Sequence, residues 1–556
     1  MHEELFHNFL KKQYSVKLED KKFLFELNIE NEIAKLEVSV PSDYPYTFLQ
    51  VKLINKKDLN FSMPHMISGD YLCLYDLDND RHDYKNYLIE SEETINRAKE
   101  LLILSKRDEL SLEYKNEFYD LWTAKEYVPI YSIISNYTKS AVLNIIKCNQ
   151  LKYKDKVFNI VADRSIDIDP LINLFDNLSL HKYEIIGSAI YIPVEKASLD
   201  KPINNLLDLL KLIENENSFN FFLNQVFNNK IEFIFLGISN KKFPTPTLVA
   251  LGLPEITTPK GEITKLKSYH NILKFNGSKK IIRLGLTDIS QDRLFTRGGE
   301  GVKTDKLGIY LIGCGSLGGF LSKALCDTGQ ISEMLLQDNQ LIQSENIGRH
   351  LCGLDSIEEN KAVAVSKKIN INYPAMKIST VNHSFIQDIL ANKNTLKDSN
   401  YDLLICATGD ENIEEEVINL RKMEIIDKPI LIAWVEPFLI AGHFILINSP
   451  INKNTENYIF DANKNIKLGI VENASLYIKS EAGCQSHFMP YSGFEMQMFS
   501  QFIADQLINN QLLERTGNYH VTWFGKMREA RKNNIKIKSK WRYKNDREIV
   551  ISRIDE

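Results

Sequence analysis

The sequence predicts a multi-domain α/β protein, and three observations support this fold class. A chain of 556 residues is too long for a single hydrophobic core. Alternating apolar and polar residues near the N-terminus indicate half-buried strands. From about residue 304, a buried strand, a glycine-rich turn, a helix and a second strand follow one another, which is typical of a doubly wound domain. We expect three domains, at residues 1–110, 111–288 and 289–556.

The first domain is predicted to be a small α+β unit. Its predicted elements are a helix over residues 5–14, strands at 23–27, 34–38 and 49–53, and a closing helix over 91–104. The second domain alternates helical and strand-like apolar runs, such as residues 203–213 and 231–238, and it carries no chemical motif. We interpret it as an α/β linker that serves as a scaffold.

The composition is that of an ordinary globular protein. Hydrophobic residues make up 44% of the chain, charged residues 25%, and the formal net charge is -5, so no general attraction to nucleic acid or membranes is implied. The N-terminus is polar and no apolar run is long enough to span a membrane. We therefore expect a cytoplasmic protein. The basic stretch at residues 526–547 indicates a solvated face rather than a binding patch.

A glycine-rich turn marks a nucleotide site in the third domain. Gly313, Gly315 and Gly318 form a GxGxxG pattern between a predicted strand at residues 307–312 and a helix. The glycines allow the backbone to approach phosphate closely, and the helix N-terminus offers amide hydrogens. Asp338 ends the next strand and is positioned to accept ribose hydroxyls. At this point NAD and ATP are equally compatible with the pattern.

The residues that follow distinguish these nucleotides. Residues 338–350, followed by Lys361, resemble the Asp-x-Asp-x-Val-x-x-Ser-Asn-Leu-x-Arg-Gln…Lys signature of ubiquitin-activating and ThiF/MoeB-type adenylating enzymes. The resemblance implies a Rossmann-like adenylation domain that uses ATP and Mg²⁺. It also implies that Asn346, Arg349 and Lys361 bind the nucleotide. Expelling pyrophosphate requires cations that offset negative charge, which suits the arginine and the lysine as catalytic groups.

The metal site is less closely matched. Residues 406–412 resemble the Cys-Thr-Asp-Asn turn of the same family, which implies that Asp410 holds Mg²⁺. Gln340 stands where the family usually has a second Asp, and Gly409 adds a residue to the turn. The full set of metal ligands therefore stays open.

Two arginines precede this domain. Residues 292–297 resemble the arginine element that reaches the nucleotide of the partner subunit in this family. The resemblance implies a homodimer in which Arg297 or Arg293 completes the neighbouring site. The pattern does not choose between the two arginines.

Two of the seven cysteines lie in loops suited to thioester chemistry. Cys484 follows Gly483 and precedes Pro490, downstream of the adenylation pattern, where activating enzymes carry their nucleophile. A thiolate attacks an acyl-adenylate and leaves readily in the next transfer. The remaining candidates in the third domain have apolar or helical surroundings, and we expect them to be packing residues: Cys314, Cys326, Cys352 and Cys406.

Cys73 is the second candidate nucleophile. Residues 40–46 and 63–74 resemble the Phe-Pro-x-x-Tyr-Pro-Phe element and the His-Pro-Asn…Gly-x-Ile-Cys-Leu active site of ubiquitin-conjugating enzymes. His65 replaces the Asn that would stabilise the oxyanion, and it can still donate a hydrogen bond. The first domain is therefore predicted to be ubiquitin-conjugating-like.

This order of modules resembles the fused conjugating–activating proteins of bacterial CBASS antiphage operons. The resemblance implies that the C-terminus of a partner protein, a cGAS-like nucleotidyltransferase, is adenylated and transferred to Cys484. It further implies transfer to Cys73 and ligation to an acceptor amine in antiviral defence. Two alternatives stay open: a ThiF/MoeB-type sulfur-carrier adenylyltransferase, and a non-catalytic nucleotide-binding adaptor. A NAD dehydrogenase is disfavoured because no proton-relay residue is evident.

Overall fold

The computed structural model describes most of the chain. The described residues are 2–19, 22–61, 63–67, 69–76, 80–110, 122, 130–134, 136–153, 156–163, 184–195, 203–213, 216–228, 231–239, 245–254, 274–299, 306–392, 401–462, 465–480 and 487–555. Contacts divide the chain into two compact units, one of residues 1–166 with 180–288 and one of residues 167–179 with 289–556. The three predicted domains stay predictions. None of the described helices is long and apolar enough to cross a membrane.

The N-terminal region forms an antiparallel sheet with two helices. The helices are α1 (His2–Gln13) and α2 (Tyr87–Lys106), and the strands are β1 (Lys17–Glu19), β2 (Lys22–Ile29), β3 (Glu32–Ser39), β4 (Gln50–Leu53), β5 (Met66–Ile67) and β6 (Tyr71–Leu72). The strand order is β1-β2-β3-β4-β6-β5. Alternate residues of β2 and β3 are buried under the helices, among them Phe23 and Leu36, which pack in one core with Phe6 and Leu102. The alternation of apolar and polar residues therefore predicts correctly which face of the sheet is buried.

A second, mixed sheet follows in the same unit. Its strands are β7 (Ile130–Ile133), β8 (Ala141–Tyr153), β9 (Lys156–Asp163), β10 (Glu184–Glu195), β11 (Ile231–Ser239), β12 (Thr247–Gly252), β13 (Ile282–Leu284) and β14 (Leu286–Asp288), with helices α3 (Leu206–Leu212) and α4 (Glu216–Asn228). The strand order is β13-β12-β11-β10-β8-β9-β7-β14. Helix α3 carries a capping box, in which the Asn205 side chain accepts a hydrogen bond from the Asp208 amide.

The second unit contains a third sheet of eight strands. Its strands are β15 (Leu307–Ile312), β16 (Ile331–Gln337), β17 (Lys377–Val381), β18 (Leu403–Cys406), β19 (Ile430–Val435), β20 (Ala441–Ile447), β23 (Asn518–Phe524) and β24 (Ile549–Arg553), and a separate pair is formed by β21 (Lys479–Ser480) and β22 (His487–Phe488). The helices are α5 (Gln291–Gly298), α6 (Ser316–Asp327), α7 (Lys361–Asn372), α8 (Phe385–Asn392), α9 (Glu411–Lys422), α10 (Lys453–Ile459), α11 (Gly493–Leu507) and α12 (Met527–Lys532). The strand order is β17-β16-β15-β18-β19-β20-β23-β24.

The position of the nucleotide site follows from this order. Strand β15 pairs in parallel with β16 on one side and with β18 on the other. The chain therefore leaves the carboxyl ends of neighbouring parallel strands in opposite directions, which opens a crevice where α/β proteins bind ligands. The predicted multi-domain α/β class is confirmed, whereas the likeness of the N-terminal region to ubiquitin-conjugating enzymes stays a prediction.

Candidate active site

Three glycines shape the turn between β15 and α6. Gly313 has φ 90°, and a Cβ there would lie 2.8 Å from the carbonyl oxygen of Ala407. A Cβ on Gly318 would lie 1.8 Å from the carbonyl oxygen of Gly313. Gly315, by contrast, has open space where a side chain would be, and it lines a cavity. This open space, at a helix start without a side-chain cap, is what a bound phosphate requires.

Asp338 stabilises the turn by accepting hydrogen bonds from its backbone. One carboxylate oxygen accepts from the Cys314 amide at 2.7 Å, and the other accepts from the Gln340 amide at 2.8 Å. The sequence predicts this carboxylate as a ribose acceptor. These two bonds add a role in holding the backbone, and the ribose contact stays a prediction.

Lys361 is held under the turn at the start of α7. The Nζ atom donates to the Gln340 side-chain oxygen at 2.7 Å, and the side chain is 8% exposed. Asn360 caps the helix through the Ala362 amide at 3.0 Å and also donates to the Asp338 carbonyl at 2.7 Å. Burial is the main cause that lowers the pKa of Lys361. Because Gln340 is neutral, it positions this ammonium group without cancelling its charge.

Arg349 ends a short 3₁₀ helix, Ser344–Arg349. Its Nη1 donates to the Met489 carbonyl at 2.8 Å, and its guanidinium lies 4.9 Å from the centre of the Tyr491 ring. The hydrogen bond holds the guanidinium of Arg349 at its edge, and the Tyr491 ring contacts its face. In the same 3₁₀ helix, the Asn346 side chain accepts from the Gln343 amide at 3.1 Å.

These groups meet at one cavity of about 620 Å³. Four of the residues predicted to bind nucleotide line it: Gly315, Asn346, Arg349 and Lys361. Two carboxylates of helix α9, those of Glu411 and Glu414, line it as well. A volume of this size lies within the range of pockets for small ligands and cofactors. The residues that the structure brings together therefore fit a nucleotide.

Asp410 caps helix α9 and is flanked in sequence by two residues that line the cavity, Gly409 and Glu411. The Asp410 carboxylate accepts from the Asn412 amide at 2.9 Å and from the Asn412 side chain at 3.2 Å. Among the described residues, no three His, Cys, Asp or Glu side chains are grouped as a protein-only metal site. Mg²⁺ needs fewer protein ligands, because it commonly binds one or two carboxylates together with substrate phosphates. The role of Asp410 fits this pattern and stays a prediction.

Comparison with known proteins agrees with this geometry. Residues 294–451 match the ThiF family. A protein of Enterobacter hormaechei described as "ATP-dependent ubiquitin transferase-like protein Cap2" is 31% identical over 122 residues, which are 22% of this chain and 20% of that protein. The protein of the same description from Pseudomonas aeruginosa is 31% identical over 112 residues, 19% of this chain and 18% of that protein.

The chain therefore contains a region that matches the ThiF family and is similar to the Cap2 proteins over about a fifth of its length. The resemblance to fused, ThiF-type proteins of CBASS systems is therefore confirmed, although each match spans about a fifth of the relative's length. Among solved structures, Escherichia coli MccB with MccA-N7isoASN has a TM-score of 0.30 and 14% identity, covering 45% of this chain and 64% of MccB.

Glu414 is a cavity residue that no sequence motif singles out. This side chain is 3% exposed and lines the cavity, and burial raises its pKa to about 7, with the nearby charges of Glu411 and Asp410 adding to the shift. In the sequence, residues 414–416 look like a surface run of glutamates. The available signal was the spacing of four residues from Asp410, which puts both on one face of a helix.

The cysteines of the ThiF domain differ from Cys73. All four expected packing residues are buried, and burial raises the pKa of each: Cys314, Cys326, Cys352 and Cys406. Such thiols are poor nucleophiles. Cys484 lies outside the described residues, so its predicted role stays a prediction.

A hairpin holds Cys73 opposite His65. Strands β5 and β6 pair with Met66 opposite Leu72, and the Cys73 amide donates to the His65 carbonyl at 2.7 Å. His65 has φ 55°, a conformation that few side chains adopt. The Cys73 thiol is exposed. The hairpin therefore joins the two predicted residues through their backbones and leaves the thiol open to a reaction partner.

Helix α5 carries the two candidate arginines. Ser290 caps this helix by accepting from the Arg293 amide at 3.4 Å. Arg293 is half-buried, and Arg297, in the last turn, is exposed. Exposure suits a residue that reaches another subunit. The homodimer and the choice between these arginines stay predictions.

Proposed function

We propose that this protein uses ATP to activate the C-terminus of a partner protein. The observation that carries the proposal is the convergence of the glycine turn, Arg349 and Lys361 on one cavity within the ThiF-family region. An adenylation site needs fixed cations around a phosphate cradle, and a hydride-transfer site does not. The Cys314–Asp338 and Lys361–Gln340 hydrogen bonds hold this arrangement before any ligand binds.

The first step is acyl adenylation. A carboxylate oxygen of the partner's C-terminus attacks the α-phosphorus of ATP, and the bond to pyrophosphate breaks. The buried Lys361 and the half-buried Arg349 offset the charge that develops on the phosphate oxygens. Mg²⁺ held by Asp410 would neutralise charge on the leaving pyrophosphate.

The second stage is a thioester relay. The Cys484 thiolate attacks the acyl carbon and releases AMP, and the Cys73 thiolate then takes the acyl group. An acceptor amine finally attacks the thioester on Cys73, with His65 donating a hydrogen bond to the oxyanion. The exposed position of Cys73 and the "ubiquitin transferase-like" description of the relatives support this stage.

The partner is proposed to be a cGAS-like nucleotidyltransferase of a CBASS operon. The protein is proposed to act as a homodimer, in which Arg297 or Arg293 completes the site of the neighbouring subunit. A sulfur-carrier adenylyltransferase would need the same cavity, but it would have no use for an exposed cysteine in the hairpin of β5 and β6.

Pyrophosphate exchange tests the proposal. ATP labelled from pyrophosphate should accumulate only when the partner's C-terminal peptide is present, and Asp410→Ala should lower the rate. Exchange without any peptide, or undiminished exchange in the variant, would contradict the assignment. Light scattering at the assay concentration should give the mass of a dimer, and full activity of a monomer would exclude the shared site.

A further inference from the structure

His350 contacts the carbonyl of Cys314 in the phosphate turn, whereas Asp338 contacts the amide of the same residue. The His350 Nε2 lies 2.8 Å from the carbonyl oxygen of Cys314, and its Nδ1 accepts from the Cys352 amide at 3.0 Å. The side chain is 6% exposed and lines the same cavity as Arg349 and Lys361.

These two bonds fix the tautomer of the ring. Because Nδ1 accepts from an amide, it carries no proton, and the proton of the neutral ring is on Nε2. Nε2 therefore donates to the Cys314 carbonyl. The ring is a neutral group with one donor and one acceptor, and both are satisfied by backbone.

The backbone of Cys314 is consequently held at both of its polar groups. Its amide donates to Asp338, and its carbonyl accepts from His350. The carbonyl of residue 314 and the amide of Gly315 belong to one planar peptide unit. Fixing the carbonyl thus fixes the direction of the Gly315 amide, which sits where the cavity is open.

We propose that His350 is a positioning residue for nucleotide binding, which aligns the Gly315 amide with the phosphates through the Cys314 carbonyl. This inference rests on the proposed function, since it assumes that the cavity holds a nucleotide. Phosphate binding by a turn depends on the direction of its amides, so rotating this peptide removes a donor from the ligand.

Burial, helped by the nearby Lys361 ammonium group, favours the neutral form of the ring. Burial is the largest cause that lowers the pKa of His350, and the Lys361 ammonium lowers it further, while the Cys314 carbonyl and Asp338 act in the opposite direction. The neighbouring thiols of Cys314 and Cys352 stay neutral because burial raises their pKa. Protonation of Nδ1 would place two N–H groups against each other and break the Cys352 bond.

Two conservative variants separate the two bonds. The amide nitrogen of glutamine can take the place of Nε2, so His350→Gln can keep the donor to Cys314. The amide oxygen of asparagine can take the place of Nδ1, so His350→Asn keeps only the acceptor for Cys352. Loss of one buried hydrogen bond corresponds to about a tenfold change in an equilibrium constant.

The test measures ATP binding to the full-length protein by calorimetry. His350→Asn should raise the Kd for ATP by about tenfold, and His350→Gln should raise it by less than about threefold. The two variants should have the same thermal unfolding midpoint, so that the difference in Kd does not report a difference in stability. Equal Kd values for the wild type and His350→Asn would overturn the proposal, and so would equal weakening in both variants. If the wild type binds no ATP, the proposed function fails instead.

The pH profile gives a second reading that needs no folded variant. Nε2 carries a proton in both the neutral and the charged ring, so the bond to the Cys314 carbonyl survives acidification, whereas the Cys352 bond does not. ATP affinity of the wild type should therefore fall by less than about threefold from pH 7.5 to 5.5, beyond the titration of ATP itself. A larger loss at acid pH would show that the Cys352 bond matters as much as the Cys314 bond, and it would contradict the role.

Discussion

The cavity of the ThiF domain and the hairpin that carries Cys73 differ in how their functional groups are held. In the cavity, Lys361, Arg349 and the glycine turn are each fixed by hydrogen bonds to other elements, and Lys361 is 8% exposed. In the hairpin, a backbone bond joins Cys73 to His65, the Cys73 thiol donates to the Tyr75 carbonyl at 3.9 Å, and Cys73 is exposed.

This difference matches the chemistry proposed for each region. Phosphate chemistry gains from fixed charges in a shielded cavity, because rearranging charges during the reaction costs free energy. Thioester exchange needs approach of a second macromolecule, so the nucleophile must be accessible. A change in one region can therefore be measured with the other region as the reference.

Cys73→Ala should abolish the final conjugate while leaving pyrophosphate exchange unchanged. The variant removes the exposed nucleophile and changes none of the residues that line the cavity. A reductant-sensitive adduct should accumulate on Cys484 and be visible on non-reducing gels. Cys73→Ser is the matched control, and it should trap the acyl group as a more stable oxyester. Conjugate formation at the wild-type rate in Cys73→Ala would exclude the relay and leave the N-terminal region as a docking module.

Alkylation should separate the exposed cysteine from the buried ones. Burial raises the pKa of Cys352 and Cys406 to about 12. At pH 8 their thiolate fraction is lower by about 10³-fold than that of an ordinary thiol, and access is blocked as well. We expect iodoacetamide to label Cys73 at least 10³-fold faster, as measured by peptide mass spectrometry. Labelling of the core cysteines at a similar rate would show that the ThiF domain opens readily.

Lys361→Met should reduce pyrophosphate exchange by about 10²–10³-fold, the usual effect of removing one fixed charge-stabilising group. Because methionine keeps the length of the buried side chain, the reduction in exchange measures the effect of removing the positive charge. The matched control is Lys367→Met in the same helix, where the lysine is exposed and pairs with Glu359. Loss of pyrophosphate exchange in Lys367→Met, or unchanged exchange in Lys361→Met, would contradict the catalytic role of the cavity.

The predictability of the two regions also differs, for physical reasons. The glycine turn is a local feature, since φ 90° at Gly313 and the contact of Gly318 with Gly313 demand glycine within six residues of chain. The buried strand before it and the hairpin before Cys73 are likewise set by nearby sequence. Local constraints of this kind leave a readable pattern.

Contacts between distant segments leave no such pattern. Arg349 donates to a carbonyl 140 residues away, and a backbone carbonyl places no requirement on the residue that bears it. Lys361 could be singled out from the signature, but its neutral partner Gln340 looked only like a departure from the expected Asp. His350 was passed over because its role depends on two backbone groups that any residue supplies.

Ionisation of Glu414 should have a smaller effect, which is expected in the cavity and not in the hairpin of β5 and β6. Glu414 lines the cavity, its side chain is 3% exposed, and burial raises its pKa from 4.5 to about 7. Between these values the native state binds a proton that the unfolded state has released. The stability it contributes is therefore complete below pH 4.5 and is lost as the pH rises through 7. Glu414→Gln cannot ionise and should lack this dependence.

Hydrogen exchange can measure this loss locally, in peptides from helix α9. After correction for the intrinsic exchange rate, the opening free energy of the wild-type helix should fall by on the order of 2 kcal/mol from pH 5 to pH 8, since each pKa unit corresponds to about 1.4 kcal/mol. Peptides from the hairpin of β5 and β6 provide the internal reference. A wild-type helix that keeps its opening free energy across this range would mean that the ionised carboxylate gains a compensating partner. In that case the cavity would rearrange around the new charge instead of holding its groups fixed.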